Sequence, residues 1–357
     1  LKVEVDVVWQ GPDRRYPTGV LELENSEFVV AWGLRGFEEF GTRLVRYSAT
    51  GESLSELDVP KTRVVSMVET LDGDLWFAGS AEDPYHTQVP WPDDEGWLSA
   101  LTTGPTLDDD VEYRNAERVG GFYFWPPGLP QRQMLATDNG VAFLNRFTPR
   151  DVGSFGDELF RVTPNGTWDA TWIAPTTLDE VRDVMVVPSR DLILVSGDGE
   201  IEDQLETDSE LFAYDVETGE VEWERVLPFA GVMRAATDDD RVGVAEAVYS
   251  AQPYASYFRL LDAGDGSEHW SIELPEPLKD VKCLGPVDGA WLSLSRDEDL
   301  LPGLWALISE QGTEELEDPV PDMVVGNLEA AQSGIWALGA SRDDAEQGRV
   351  VRLSLTP

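Results

Sequence analysis

The sequence predicts an all-β chain folded as a seven-bladed β-propeller of four-stranded blades, a single domain spanning residues 1–357. Three observations predict it. A strand–turn–strand unit recurs along the whole chain, a second series of glycine-centred hairpins alternates with it, and the two ends complement one another. With 357 residues over seven units, each unit has about 51, the length of a four-stranded blade with moderate loops.

The first series is carried by its second strands: FVVAWG (28–33), LWFAGS (75–80), VAFLNRF (141–147), LILVSGD (192–198), VGVAEAV (242–248), AWLSLS (290–295) and IWALGAS (335–341). The turns before them are Asn25-Ser26, Asp72-Gly73, Asn139-Gly140, Ser189-Arg190, Asp239-Asp240, Asp288-Gly289 and Ser333-Gly334. Several are dipeptides that close tight hairpins, because Asn, Asp and Gly tolerate positive φ. The second series joins third to fourth strands, with turn glycines Gly51, Gly166, Gly219, Gly266 and Gly312 and a divergent copy at 97–119. Trp223 and Trp270 each fall four residues after their glycine, a repeated packing position.

The last unit stops after its third strand. VEVDVVW at 3–9 supplies the fourth, with Trp9 at the expected place, so strand 3–9 completes the blade formed by 324–356. Such closure removes open sheet edges. The competing count is eight blades, with one degenerate in the long second unit.

Composition narrows the function. Lys+Arg is 26 against 69 Asp+Glu, a net charge of −43, which argues against a basic nucleic-acid face and against docking on anionic lipid. One cysteine, Cys283, excludes an internal disulfide and a Cys-based zinc site, and its place on an innermost strand predicts a buried thiol. No apolar run is long enough to span a membrane as a helix. The basic residues are 22 Arg and only 4 Lys, which fits a halophilic or marine setting, or a high-GC genome. The chain begins at Leu1 rather than Met, as after removal of a signal peptide or at a chosen boundary.

The segment AYDVETGEVEW (213–223) resembles the repeat of the pyrroloquinoline-quinone-type propellers, and LLDAGDGSEHW (260–270) is a looser copy. These residues belong to the hairpin and to packing between blades. Catalytic members have eight blades, a bound Ca²⁺ and usually a vicinal disulfide. A single cysteine removes the disulfide. The resemblance therefore implies a non-catalytic relative, like propellers that serve as extracytoplasmic assembly or interaction modules, and a location that is extracellular, periplasmic or at the cell surface.

Three candidate sites stand out. Near the starts of the channel-lining strands lie Arg63, Arg132, Arg182, Arg234 and Lys282, a basic series that could hold an anionic small ligand such as a carboxylate or sulfated sugar. The alternative is pairing with the neighbouring Glu180, Asp183 and Asp280. The long second unit carries insertions at 80–97 and 120–131, which gather Tyr85, His86, Trp91, Phe122, Tyr123, Phe124 and Trp125 on one rim stiffened by prolines. Exposed aromatics on rigid loops make a partner-binding surface, for another protein or for self-association; the alternative is a self-packed lid. The acidic loop 197–210 places Asp198, Glu200 and Glu202 at alternate positions, as calcium ligands would stand. However, Asp203 stands where an EF-hand needs Gly and Ser209 where it needs Glu, so a chance cluster is the competing reading.

No G-x-S-x-G elbow, H-E-x-x-H motif or phosphate-binding glycine loop is present, and no catalytic residue or cofactor is assigned. His269, beside Trp270 on an outer strand, reads as structural, and Asn165-Gly166-Thr167 is a glycosylation sequon on a turn. The expectation is a secreted interaction or assembly module, with an enzyme or ligand-binding propeller for an anionic sugar, lactone or ester at the channel mouth as the alternative.

Overall fold

The computed structural model describes residues 2–12, 14–23, 25–34, 41–60, 63–70, 73, 75–80, 98–103, 107, 112–114, 134–137, 140–150, 154–162, 168–174, 180–198, 209–227, 232–238, 240–248, 255–278, 281–287, 289–295, 303–331, 334–344 and 346–356. Strand β1 (Lys2–Gln10) comes first, followed by β2 (Arg15–Glu22), β3 (Phe28–Leu34), β4 (Gly41–Tyr47) and β5 (Ser53–Pro60), which form one sheet. The second sheet is β6 (Arg63–Glu69), β7 (Leu75–Ser80), β8 (Leu98–Thr103) and β9 (Glu112–Arg114). The third is β10 (Met134–Thr137), β11 (Gly140–Arg150), β12 (Ser154–Val162) and β13 (Trp168–Ala174). The fourth comprises β14 (Glu180–Val187), β15 (Leu192–Asp198), β16 (Ser209–Asp215) and β17 (Val221–Leu227). The fifth is β18 (Val232–Thr237), β19 (Arg241–Val248), β20 (Ala255–Asp262) and β21 (Glu268–Glu273). The sixth is β22 (Val281–Val287), β23 (Ala290–Ser295), β24 (Leu304–Ser309) and β25 (Gly312–Leu316). β26 (Met323–Ala331), β27 (Gly334–Ser341) and β28 (Gly348–Thr356) form the last sheet, with β1 paired antiparallel to β28 as its fourth strand.

The other six sheets are antiparallel meanders in chain order, and burial follows strand position. The second strand β23 is buried along its whole length and β3 up to its last residue, Leu34, because apolar runs such as FVVAW and AWLSL face a neighbouring sheet on both sides. The fourth strands β17 and β21 are mostly exposed. They carry Glu222, Glu224, Glu268 and Glu273, and the outer strand β25 carries Glu314 and Glu315. Carboxylates on an unpaired strand oppose edge-to-edge pairing between molecules.

Apolar clusters fill the gaps between successive sheets. Leu44 and Val29 of the first sheet meet Phe77 and Leu75 of the second. Leu194 and Leu211 of the fourth meet Val244 and Leu261 of the fifth, and Phe258 of the fifth meets Trp291 of the sixth. Leu292 and Trp305 of the sixth meet Ile335 and Leu328 of the last. The last sheet packs on the first through Trp9, Trp336, Phe28, Trp32 and Tyr47. There Trp9 stacks on Trp336 at 4.6 Å between ring centres and on Tyr47 at 5.1 Å, while the Trp32 indole N–H donates to the Tyr47 hydroxyl at 3.2 Å.

Polar contacts join sheets as well. The Trp172 indole N–H donates to the Val216 carbonyl at 2.9 Å, and that of Trp223 to the Ala263 carbonyl at 3.0 Å, so the outer strand of one sheet docks on a turn of the next. At the second docking site Gly266 has a φ of +68°, and a Cβ there would meet the Trp223 ring at 2.7 Å. Only glycine satisfies both demands. The AYDVETGEVEW hairpin is built as its residues require: Asp215 Oδ1 accepts from the Thr218 N–H at 2.7 Å and hydroxyl at 2.8 Å. One turn differs from expectation. Between β14 and β15 the left-handed residue is Asp191 rather than Ser189 or Arg190, because a short helical turn over Pro188–Arg190 delays the reversal.

Candidate functional site

Register places the starts of the first strands beside the ends of the second. Arg63, the first residue of β6, pairs with Ser80, the last residue of β7. The aromatic-rich insertion 80–97 therefore leaves the sheet at the strand end where Arg63 stands. In the fourth sheet Glu180 pairs with Asp198, so the acidic loop leaves beside the start of β14. Arg182 sits in a bulge two residues into β14, and Lys282 in a bulge at the second residue of β22. Arg234 is the third residue of β18 and pairs with Ala245. Four of the five basic candidates thus lie at the starts of first strands, while Arg132 lies outside the described residues. Tyr85, His86, Trp91, Phe122, Tyr123, Phe124 and Trp125 also lie outside them, as do Glu200 and Glu202; Asp198 ends β15.

The sequence reading missed Arg15, which opens β2 as Arg63 opens β6. Its guanidinium turns back across its own sheet, donating to the Trp32 carbonyl at 3.0 Å and lying 3.8 Å from Asp58. Burial, with the adjacent Arg43 charge, lowers its pKa against the pull of Asp58. A hydrogen bond from Arg43 in turn holds the Asp58 carboxyl below its ordinary value. For this cation, pairing within the blade is the observed arrangement.

Two buried carboxylates were also missed. Glu246 on β19 is 2% exposed; its Oε1 accepts from Arg259 Nε, and its Oε2 has no hydrogen-bond partner. Arg259 reaches Glu268 at 3.1 Å, and Glu268 reaches Arg225 of the fourth sheet at 2.7 Å. Burial raises the Glu246 pKa, with Arg259 opposing. Glu268 is held low: burial works against this, but the Ser271 hydrogen bond and the Arg259 and Arg225 charges outweigh it. The second, Glu329 on β26, is 6% exposed and accepts from the Val20 N–H of the first sheet at 3.2 Å and from Asn327 Nδ2 at 3.4 Å. Both interrupt otherwise apolar stretches, VGVAEAV and LEAA, and that interruption is the signal from which they could have been found.

Among the described residues no group of three or more His, Cys, Asp and Glu is arranged to hold a metal. Cys283 is buried, with Sγ 3.8 Å from the Gly326 carbonyl, and His269 Nε2 lies 3.8 Å from Asp262 on a partly exposed strand. No helix among the described residues is long and apolar enough to cross a membrane.

This architecture is that of a β-propeller, and solved structures agree. The polysaccharide lyase Uly1 superposes with a TM-score of 0.63 at 8% identity, over 99% of this chain and 100% of that one. The WD40 propeller domain of Doa1 gives 0.52 at 13% identity, over 98% and 96%. BamB from Moraxella catarrhalis gives 0.50 at 10% identity, over 98% of both chains. No protein-family model and no curated protein matches the sequence. At such identities the likeness establishes the fold alone.

Proposed function

We propose that the chain is one closed domain of seven blades, residues 1–357, in which strand 3–9 completes the blade formed by 324–356. We propose further that it acts as a non-catalytic interaction or assembly module in an extracellular, periplasmic or cell-surface setting, as the resemblance of its 213–223 repeat implies. The observation that carries the functional reading is the pairing of Arg63 with Ser80. On this reading the root of the aromatic insertion, beside Arg63, and the other basic strand starts share one end of the disc. Recognition then falls on that end, because the acidic outer strands of the rim resist lateral pairing. The occupant is a protein partner or a second copy of the chain, engaged through Trp91, Trp125 and their aromatic neighbours.

Light scattering on a sizing column at low and high salt tests this. Screening of the −43 charge is expected to strengthen self-association as salt shortens the Debye length from about 30 Å at 0.01 M to about 3 Å at 1 M. Trp91→Ala with Trp125→Ala abolishes it. A wild-type monomer at every salt concentration removes self-association, and a double variant that assembles like wild type removes the aromatic rim.

The basic residues at the strand starts favour a second reading, an enzyme or ligand-binding propeller acting on an anionic sugar, lactone or ester at the channel mouth. Incubation with uronate-containing polysaccharides, followed by assay for new chain ends, decides it. Release of ends by wild-type protein supports the enzyme, and none at high protein concentration rejects it.

A further inference from the structure

Bulges recur on the innermost strands. The residue left out of register is Thr18 on β2, Val65 on β6, Arg182 on β14, Lys282 on β22 and Gly326 on β26. A bulge takes one residue out of the ladder, bends the strand and is a common device beside binding sites. On the intervening first strand, β18, Arg234 is the third residue. Two of these levels are tied together: Cys283, the neighbour of Lys282, has its Sγ 3.8 Å from the carbonyl of Gly326. At Gly326 the wall is open. The residue is exposed, and a Cβ built on it would meet nothing closer than the Leu338 carbonyl at 3.7 Å. Val324, two residues earlier, is 44% exposed. Solvent therefore reaches the innermost strand of the last sheet at the level of the Lys282 bulge.

We infer that this arc of the fourth to seventh sheets binds a small organic anion bearing two or three carboxylate or sulfate groups, an acidic oligosaccharide by class. The inference deepens the account of the strand-start face given above and rests on it. Three cations on three successive innermost strands match a ligand with several anionic groups, and the open glycine on the next innermost strand, in contact with the neighbour of Lys282, lets that ligand approach the backbone. Net charge sets the size. A long polyanion would lie over the acidic surface and be repelled, whereas a short ligand stays within the roughly 8 Å over which local charges act at about 0.15 M salt.

The test is isothermal titration of the full chain with trigalacturonate at about 0.15 M salt, with uncharged maltotriose as control. Trigalacturonate is expected to bind and maltotriose not to. Arg182→Ala with Lys282→Ala weakens binding by about tenfold or more, with an unchanged melting temperature, through loss of charge-assisted contacts. Gly326→Val weakens it without removing any charge. Absence of binding by wild type to both trigalacturonate and a sulfated trisaccharide overturns the inference, and so does wild-type affinity in the Arg182/Lys282 variant. Light scattering on that same variant keeps the two readings apart: assembly through the aromatic rim persists when only the anion site has been removed.

Discussion

Replacing Trp9 with alanine is expected to lower the unfolding free energy by about 3–5 kcal/mol, the range for deleting a buried Trp from a packed core. Trp9 is 3% exposed although it lies on a strand whose Val5 and Val8 are 40% and 50% exposed. Its ring stacks between Trp336 of the last sheet and Tyr47 of the first. The substitution removes the ring that anchors β1 against both sheets, leaving Phe28 against Trp336 at 4.8 Å as the remaining aromatic contact across that seam among the described residues. Urea unfolding followed by tryptophan fluorescence measures the change. A loss below about 1 kcal/mol, as for a surface substitution, means that the N-terminal strand does not hold the last sheet to the first.

The second large effect concerns the charge network between the fourth and fifth sheets. Arg259→Met is expected to cost about 3 kcal/mol, because it strands the Glu246 carboxylate in a site that gives its Oε2 no partner. Glu246→Leu with Arg259→Met recovers most of that loss, since replacing both members of a buried pair with apolar groups is close to neutral. A double variant as unstable as the single one shows that the loss came from packing of the arginine stem. The pH dependence has a definite sign. Burial lifts the Glu246 pKa above its unfolded value of about 4.3, so the native state holds this proton more tightly than the unfolded chain does. Its contribution to stability is full in acid and is lost as pH rises through the native value. Glu246→Gln lacks this titration, and its stability relative to wild type is expected to rise with pH across that window. Asp58 and Glu268, both held low, act in the opposite sense and lose their contribution as pH falls. Thermal melts of wild type and Glu246→Gln from pH 4 upward read the difference directly, and a constant gap contradicts it.

Strand positions and hairpins were legible because each depends on a few adjacent residues. FVVAWG and AWLSLS read as the second strands of their units and are buried along their length. Gly51, Gly219, Gly266 and Gly312 were read as turn glycines, and all have positive φ. The pairing of β1 with β28 was legible from the missing fourth strand and from Trp9. What escaped is set by neighbours from other parts of the chain. Nothing local to Arg15 says that its guanidinium will bond Trp32 and approach Asp58. Likewise, nothing local to Glu329 says that it will accept the Val20 N–H, a residue 309 positions away. Sequence supplied the types of group at the candidate site, and register places Arg63, Arg182, Arg234 and Lys282 near the starts of their strands. The bulges at Arg182, Lys282 and Gly326 have no sequence signature, because an extra residue in one strand is defined only against its partner.

Blocking each end of the disc in turn tests most directly whether one end does the recognising. A bulky polymer is coupled to a cysteine introduced at Asp93, within the aromatic insertion, or at Gln311, on the turn between β24 and β25 at the other end of its blade. Both are made with Cys283→Ala, so that the introduced thiol is the only one. The label at 93 is expected to abolish both salt-strengthened assembly and trigalacturonate binding, and the label at 311 to leave both unchanged. Loss of either function from the label at 311, or retention of both with the label at 93, would contradict the account.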